Sequence, residues 1–208
     1  MTIAVIDYDA GNTANVLRAL NKIGVDAVLT ADQATIQSAD GLILPGVGAF
    51  PTAMAELEKR DLVGVIKSTV ASGTPLLGIC LGMQLLLEAS EEHGMTRGLG
   101  LIPGTCREIP TKANFPVPHM GWNALDVHQN TALTPELQDK YVYFVHSYFT
   151  DVPTEFLDVT ADYGIKVPAM ISRGNVYGAQ FHPEKSGDVG LGILEEFKEV
   201  VYADSTSN

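Results

Sequence analysis

Residues 75–84 read Pro-Leu-Leu-Gly-Ile-Cys-Leu-Gly-Met-Gln: an apolar run leads straight into Gly-Xaa-Cys-Xaa-Gly, and helix-forming residues follow. Few backbone geometries accept that order. The strand must turn at once into a helix, and the small residues Gly78 and Gly82 let the chain fold back without side-chain clashes, as in the cysteine form of a nucleophile elbow. Cys80 then stands at the carboxyl end of its strand, where open α/β sheets bind ligands. It also lies at a helix N-terminus, whose dipole and free N–H groups favour a thiolate. The N–H of Leu81 points where an oxyanion would form. Free cysteines are also common core residues. Strand, glycine pair and helix together separate Cys80 from Cys106, which follows Gly104-Thr105 in a turn-rich stretch and reads as structural.

The flanking sequence predicts an α/β frame. Residues 3–6 form an apolar run suited to a buried parallel strand. Either polar residue of Gly11-Asn12-Thr13 could cap a helix carrying Val16, Leu17, Leu20 and Ile23 on one face and closed by Gly24. Strands are expected at 25–29, at 41–44 before Pro45-Gly46, and at 74–80. A helix with Leu62, Val65, Ile66, Thr69 and Val70 at helical spacing ends at Gly73. Another starts at Leu81, with Leu85 and Leu86 inward and Glu88, Glu91 and Glu92 towards its end. After Gly94 the pattern changes. Gly and Pro crowd 98–118, and short strand candidates follow at 142–145, 156–160, 169–172 and 176–181, richer in antiparallel pairing. A last helix carries Ile193, Leu194, Phe197, Val200 and Val201. The expected fold is a central, mostly parallel sheet flanked by helices, with antiparallel additions in the second half. One domain over 1–203 is expected, with a frayed tail at 204–208.

Composition narrows the function. With 208 residues, 46% hydrophobic and 18% charged, the chain suits one core built on a sheet covered on both faces. A formal net charge of −12 and no basic run argue against nucleic acid, whose binders neutralise phosphates, and against an anionic membrane surface. Two cysteines make no disulfide framework. No signal peptide and no run of about 20 apolar residues is visible. A cytoplasmic, reducing setting is expected, one that keeps a thiol available. No His-Glu-Xaa-Xaa-His spacing occurs, so neither a zinc site nor another metal or cofactor is expected.

A thiol nucleophile needs a base, usually a histidine oriented by a third group. His182 ends the apolar run 176–181 and is stopped by Pro183, and Glu184 could curl back to accept its N–H. Spacing alone leaves a capping or surface histidine equally open. His93, in an acidic helix end, and His128, in a polar loop, read as bland. His119 and His146 sit in motifs of their own.

Gly78-Ile79-Cys80-Leu81-Gly82-Met83-Gln84 with Phe181-His182-Pro183-Glu184, in that order, resembles the class I, or triad, glutamine amidotransferases. Pro45-Gly46-Val47-Gly48-Ala49-Phe50 resembles that family's oxyanion strand. Three further segments, Pro118-His119-Met120-Gly121-Trp122-Asn123, Tyr143-Phe144-Val145-His146-Ser147-Tyr148 and His182-Pro183-Glu184-Lys185-Ser186, resemble the branch that serves as glutaminase subunits of imidazole glycerol phosphate synthases. The resemblance implies a Cys80–His182–Glu184 triad that releases ammonia from glutamine. It implies an oxyanion hole from Gly46, Val47, Gly48 and Leu81, with a peptide flip that glycine permits. Gln84, Glu92, Ser147 and Tyr148 would hold the amino-acid end of glutamine, Glu92 pairing its ammonium. Asn12, Met120, Trp122, Tyr143 and Lys185 would face a (β/α)8-barrel cyclase in a heterodimer. Trp122 in a core and Lys185 as a solvated surface lysine stay open as alternatives. So do a glutaminase for anthranilate, aminodeoxychorismate or pyridoxal phosphate synthesis, a peptidase-like relative, and a subunit that only docks. In one place the chain departs from the family: Asp9 stands in Asp7-Tyr8-Asp9-Ala10-Gly11-Asn12 where a glycine is usual. If that position needs positive φ, Asp adopts it at some cost.

Overall fold

The computed structural model describes residues 1–205. Its frame is a nine-stranded sheet in the order β2-β1-β3-β4-β13-β12-β11-β8-β9. The parallel part comprises β1 (Ile3–Ile6), β2 (Ala27–Thr30), β3 (Gly41–Leu44), β4 (Leu76–Ile79) and β13 (Val176–Ala179). The antiparallel part comprises β12 (Lys166–Arg173), β11 (Leu157–Asp162), β8 (His119–Val127) and β9 (Tyr141–His146).

The apolar runs follow from burial on both faces. Along β1, Ile3 and Val5 join one core cluster, and Ala4 and Ile6 join the other. Helices α1 (Thr13–Lys22) and α6 (Gly187–Ser205) cover the first face through Val16, Leu20, Ile193 and Phe197. On the other side α3 (Phe50–Lys59) and α4 (Leu62–Ala71) bury Phe50, Leu57, Leu62 and Ile66. A polar strand face would have no water to meet on either side, which explains the near-continuous apolar character of the central strands.

Several expectations need correcting. The helix after Cys80, α5, spans only Leu81–Leu85, so Glu88, Glu91 and Glu92 lie beyond it. The chain there enters a small second sheet, order β10-β7-β5-β6, formed by β5 (Ala89–Ser90), β6 (Thr96–Arg97), β7 (Thr105–Glu108) and β10 (Tyr148–Asp151). The Gly- and Pro-rich stretch therefore contains a strand, and Cys106 is a fully buried part of it. Burial pushes the Cys106 thiol up to about 12, as an inert core cysteine requires. Helix α3 and a short helix α2 (Gln33–Gln37) were not anticipated. Helix α6 continues through Asp204 to Ser205, into the segment expected to be a tail, and residues 206–208 lie outside the described residues. No helix among the described residues is long and apolar enough to cross a membrane.

One buried acid marks a cost of this packing. Asp158, on β11, is almost fully buried, and that burial raises its carboxyl to about 6, offset only in part by Ser172. Because the folded state holds this proton more tightly than the unfolded chain, the associated stability is present below about pH 4 and is lost as pH rises through about 6. Asp158→Asn should therefore raise Tm by a few degrees at pH 8 and leave it nearly unchanged at pH 4 in parallel thermal melts.

Candidate active site

Three adjacent parallel strands, β3, β4 and β13, deliver the key segments to one edge of the sheet. The expected oxyanion segment follows β3, Cys80 follows β4 and His182 follows β13. The register pairs Ile79 with Ala179, and the Cys80 N–H donates to the Ala179 carbonyl at 2.7 Å. Cys80 itself has φ 55° and ψ −110°, a left-handed turn that a side chain adopts only under constraint. The constraint is visible in the glycines. A Cβ on Gly82 would overlap the Leu44 carbonyl oxygen, and one on Gly78 would come within 2.7 Å of the Gly82 carbonyl oxygen.

Cys80, Leu81, Val47, Gly48 and His182 line one cavity of about 430 Å³. Gly46 does not line it. Instead Gly46 packs under the segment, where a Cβ would overlap the Tyr8 hydroxyl. Tyr8 is fully buried and donates from that hydroxyl to the Pro45 carbonyl at 2.6 Å, anchoring the base of the oxyanion segment. Burial, with a smaller electrostatic contribution from Cys80, pushes its phenol upward, so it stays a neutral donor.

His182 is almost entirely buried, and its Nδ1 lies 2.8 Å from Glu184 Oε1. A carboxylate only accepts, so Nδ1 carries the proton. Nε2 makes no hydrogen bond within ordinary limits of length and angle among the described residues. The Cys80 sulfur nevertheless acts on its charge. Burial opposes an imidazolium here, but Cys80 and Glu184 outweigh it and raise His182 to about 9. The turn that carries His182 is pinned from behind: the His182 N–H donates to the Tyr143 carbonyl, and Ser186 Oγ donates to the His182 carbonyl.

The expected substrate-holding residues converge on the same cavity. Glu92, Gln84, Ser147 and Tyr148 all line it. Two are partly committed already. Glu92 Oε2 accepts the N–H of Phe50 at the start of α3 (2.8 Å), a good site for a carboxylate. Gln84 Nε2 donates to the Tyr148 carbonyl (3.0 Å) and to Gln180 Oε1 (3.2 Å). Gln180, whose own amide nitrogen lies 3.8 Å from the Cys80 sulfur, was not singled out from the sequence, although it sits two residues before His182.

Of the expected docking residues, Lys185 lines the cavity rim. Met120 (59% exposed) and Trp122 (56%) project from β8 into solvent, so Trp122 is not a core residue. Tyr143 pairs with Trp122 across the strands, rings edge to face with centroids 6.1 Å apart. Asn12 stands at the N-cap of α1 without using its side chain to cap it. Asp9 has φ 62°, so the position does take the left-handed conformation, and its carboxylate pairs with Arg60 at 2.6 Å. Arg60 also pairs with Glu56 on α3. His93 occupies a tight turn rather than a helix end, and His128 Nε2 meets Thr160 Oγ1. Among the described residues no three His, Cys, Asp or Glu side chains gather as a metal site would need.

Residues 4–199 match the family described as glutamine amidotransferase class-I. The chain is 69% identical over 201 residues to "Imidazole glycerol phosphate synthase subunit HisH" of Streptococcus sanguinis, covering 97% of each. It is 72% identical over 195 residues to the protein of that name from Streptococcus mutans (94% of this chain, 97% of the relative). The Listeria monocytogenes counterpart is 54% identical over 205 residues, 99% of each. In fold, it matches a solved glutamine amidotransferase with TM-score 0.76 at 20% identity (96% and 98% covered). It also matches a glutamine amidotransferase from Thermotoga maritima, with TM-score 0.62 at 17% identity (99% and 85%).

The raised His182 has a measurable consequence. Its folded value of about 9 exceeds the ordinary value of 6.5, so its contribution to stability is complete below about pH 6.5 and is lost as pH rises through about 9. Denaturant titrations of the parent and of His182→Gln should show a stability difference that shrinks steadily between pH 6 and pH 10.

Proposed function

The chain belongs to the class-I glutamine amidotransferase family, and on that premise we propose that it is the glutaminase subunit of an imidazole glycerol phosphate synthase, acting in histidine biosynthesis. The observation that carries the chemistry is the meeting of Cys80 and His182 at neighbouring strand ends, around one cavity, with Glu184 behind the imidazole.

The roles follow. The sulfur of Cys80 attacks the side-chain amide carbon of glutamine. Charge on the carbonyl oxygen is met by the N–H of Leu81 and by the backbone of Val47 and Gly48, where glycine lets a peptide turn towards it. His182, charged while Cys80 and Glu184 face it, gives its Nε2 proton to the departing ammonia. The neutral imidazole then takes a proton from the water that cleaves the thioester, releasing glutamate. Glu184 holds the ring and tautomer throughout. Glu92, Gln84 and the backbone at Ser147 and Tyr148 hold the amino-acid end of the substrate. The carboxylate oxygen of Glu92 that Phe50 does not use faces the ammonium, and Gln84 braces Tyr148. We place this thiol chemistry in the cytoplasm, where the environment is reducing.

Ammonia passes to a (β/α)8-barrel cyclase, which docks on Asn12, Met120, Trp122, Tyr143 and Lys185 to complete a heterodimer. Exposed aromatic residues beside a cavity suit such a surface, because buried aromatic anchors dominate binding energy.

Cys80→Ala in the reconstituted complex should abolish glutamine-dependent synthesis, a loss of at least about a thousandfold, while synthesis from added ammonium salts continues. Full glutamine-dependent activity in that variant would show the nucleophile is misassigned. Trp122→Ala should weaken association with the cyclase by about thirtyfold, about 2 kcal/mol, with an unchanged melting temperature of the isolated chain. An unaltered Kd measured by calorimetry removes Trp122 from the interface.

A further inference from the structure

Two buried histidines outside the triad are joined in an ordered chain. His146 Nδ1 lies 2.8 Å from the Tyr148 carbonyl oxygen. His119 Nδ1 lies 3.1 Å from His146 Nε2, and Asn123 Nδ2 lies 3.4 Å from His119 Nε2. Only one assignment of protons satisfies this chain. The Tyr148 carbonyl only accepts, so His146 carries its proton on Nδ1 and offers a lone pair at Nε2. His119 must then donate from Nδ1, which leaves its Nε2 to accept from Asn123. Asn123 fits, since its Oδ1 accepts the Ala124 N–H at 2.8 Å. A proton added to either ring would set two N–H groups against each other.

The surroundings agree. His119 is sandwiched between Phe144 and Tyr163, with centroids 4.6 and 3.9 Å away. Burial lowers His119 to about 4 and His146 to about 3, the latter despite its bond to Tyr148 and helped by charge at His119 and His182. Both rings are therefore neutral at ordinary pH.

The two ends of the chain matter. At one end, the Tyr148 carbonyl also accepts Gln84 Nε2, and Ser147 and Tyr148 line the cavity. At the other, His119 and Asn123 alternate along β8 with Met120 and Trp122, which are exposed on its opposite face. We propose that His146 and His119 are positioning residues: a neutral, one-directional relay that fixes the glutamine-holding backbone at Ser147–Tyr148 and ties it to the docking strand β8. This deepens the glutaminase reading above and rests on it.

The test is steady-state kinetics of the reconstituted complex, run with glutamine and separately with ammonium salts. His119→Phe keeps the stacking and removes the donor to His146. His146→Leu removes both bonds, whereas His146→Gln retains one donor and one acceptor. In His119→Phe and His146→Leu, KM for glutamine should rise about five- to tenfold, as loss of a buried positioning hydrogen bond implies, with kcat changed less than twofold and ammonia-dependent synthesis unchanged. His146→Gln should recover most of the loss. Should His146→Leu fail to fold, His119→Phe decides alone. An unchanged KM in His119→Phe overturns the relay, and so does a loss that appears equally in ammonia-dependent synthesis, because that reports general damage. An unmodified complex that makes no use of glutamine overturns the functional reading itself, and the relay's role with it.

Discussion

The site depends on the parallel pairing of β4 with β13. These strands are far apart in the chain, yet the register that sets Ile79 beside Ala179 places the turn after one strand against the turn after the other. The Cys80 N–H, bonded to the Ala179 carbonyl, is the last rung of that ladder. Beyond it the left-handed turn at Cys80 leaves the sheet, and Gln180 and His182 pass alongside. Parallel strands need crossover connections, and here the crossover includes the whole antiparallel half of the molecule. Nothing local could hold Cys80 in its φ 55° conformation. The ladder and the close packing of Gly82 on Leu44 hold it.

Environment gives three histidines of the same core different charges. His182 is as buried as His119, and burial alone would leave it neutral. Cys80 and Glu184, the latter at 2.8 Å, reverse that outcome and raise it to about 9. His119 and His146 have no carboxylate partner and meet only carbonyl, amide and ring groups, so desolvation prevails and both are lowered. The result is one imidazole suited to carry a proton and two suited to orient backbone. These opposed shifts arise within one connected region, since charge at His182 also acts on His146.

The same strands serve the cavity and the exposed aromatic surface. Tyr143 on β9 pairs with Trp122, accepts the His182 N–H on its carbonyl and donates its own N–H to the Ser186 hydroxyl oxygen. Two residues further along β9, Val145 lines the cavity, and β9 then runs into Ser147. Any load on Trp122 and Tyr143 would therefore bear on backbone already bonded to the turn that carries His182. In such a closely packed region, small shifts are not absorbed locally.

What could be read in the sequence was what local physics sets. The strand–Gly–Cys–Gly–helix order forced the elbow, and apolar runs marked the doubly covered strands, but β13 ends at Ala179, so His182 stands three residues past the strand rather than at the end of a run reaching Phe181. The sequence left open whether Asp9 needs positive φ, and the backbone shows that it does. Elements whose stability comes from elsewhere were not legible. The strands β5 and β6 have two residues each and exist only as part of their small sheet, and α5 ends after five residues because the chain turns into it. Helix α3 escaped notice although Pro51 sits in its first turn, where no N–H is needed. Only the tertiary structure decided that Tyr8 anchors Pro45, that Glu92 caps α3 while lining the cavity, and that His119 meets His146. Each of these is a contact between segments distant in the chain. A side chain's type shows what it can bond, and only the folded backbone determines which partner comes within reach.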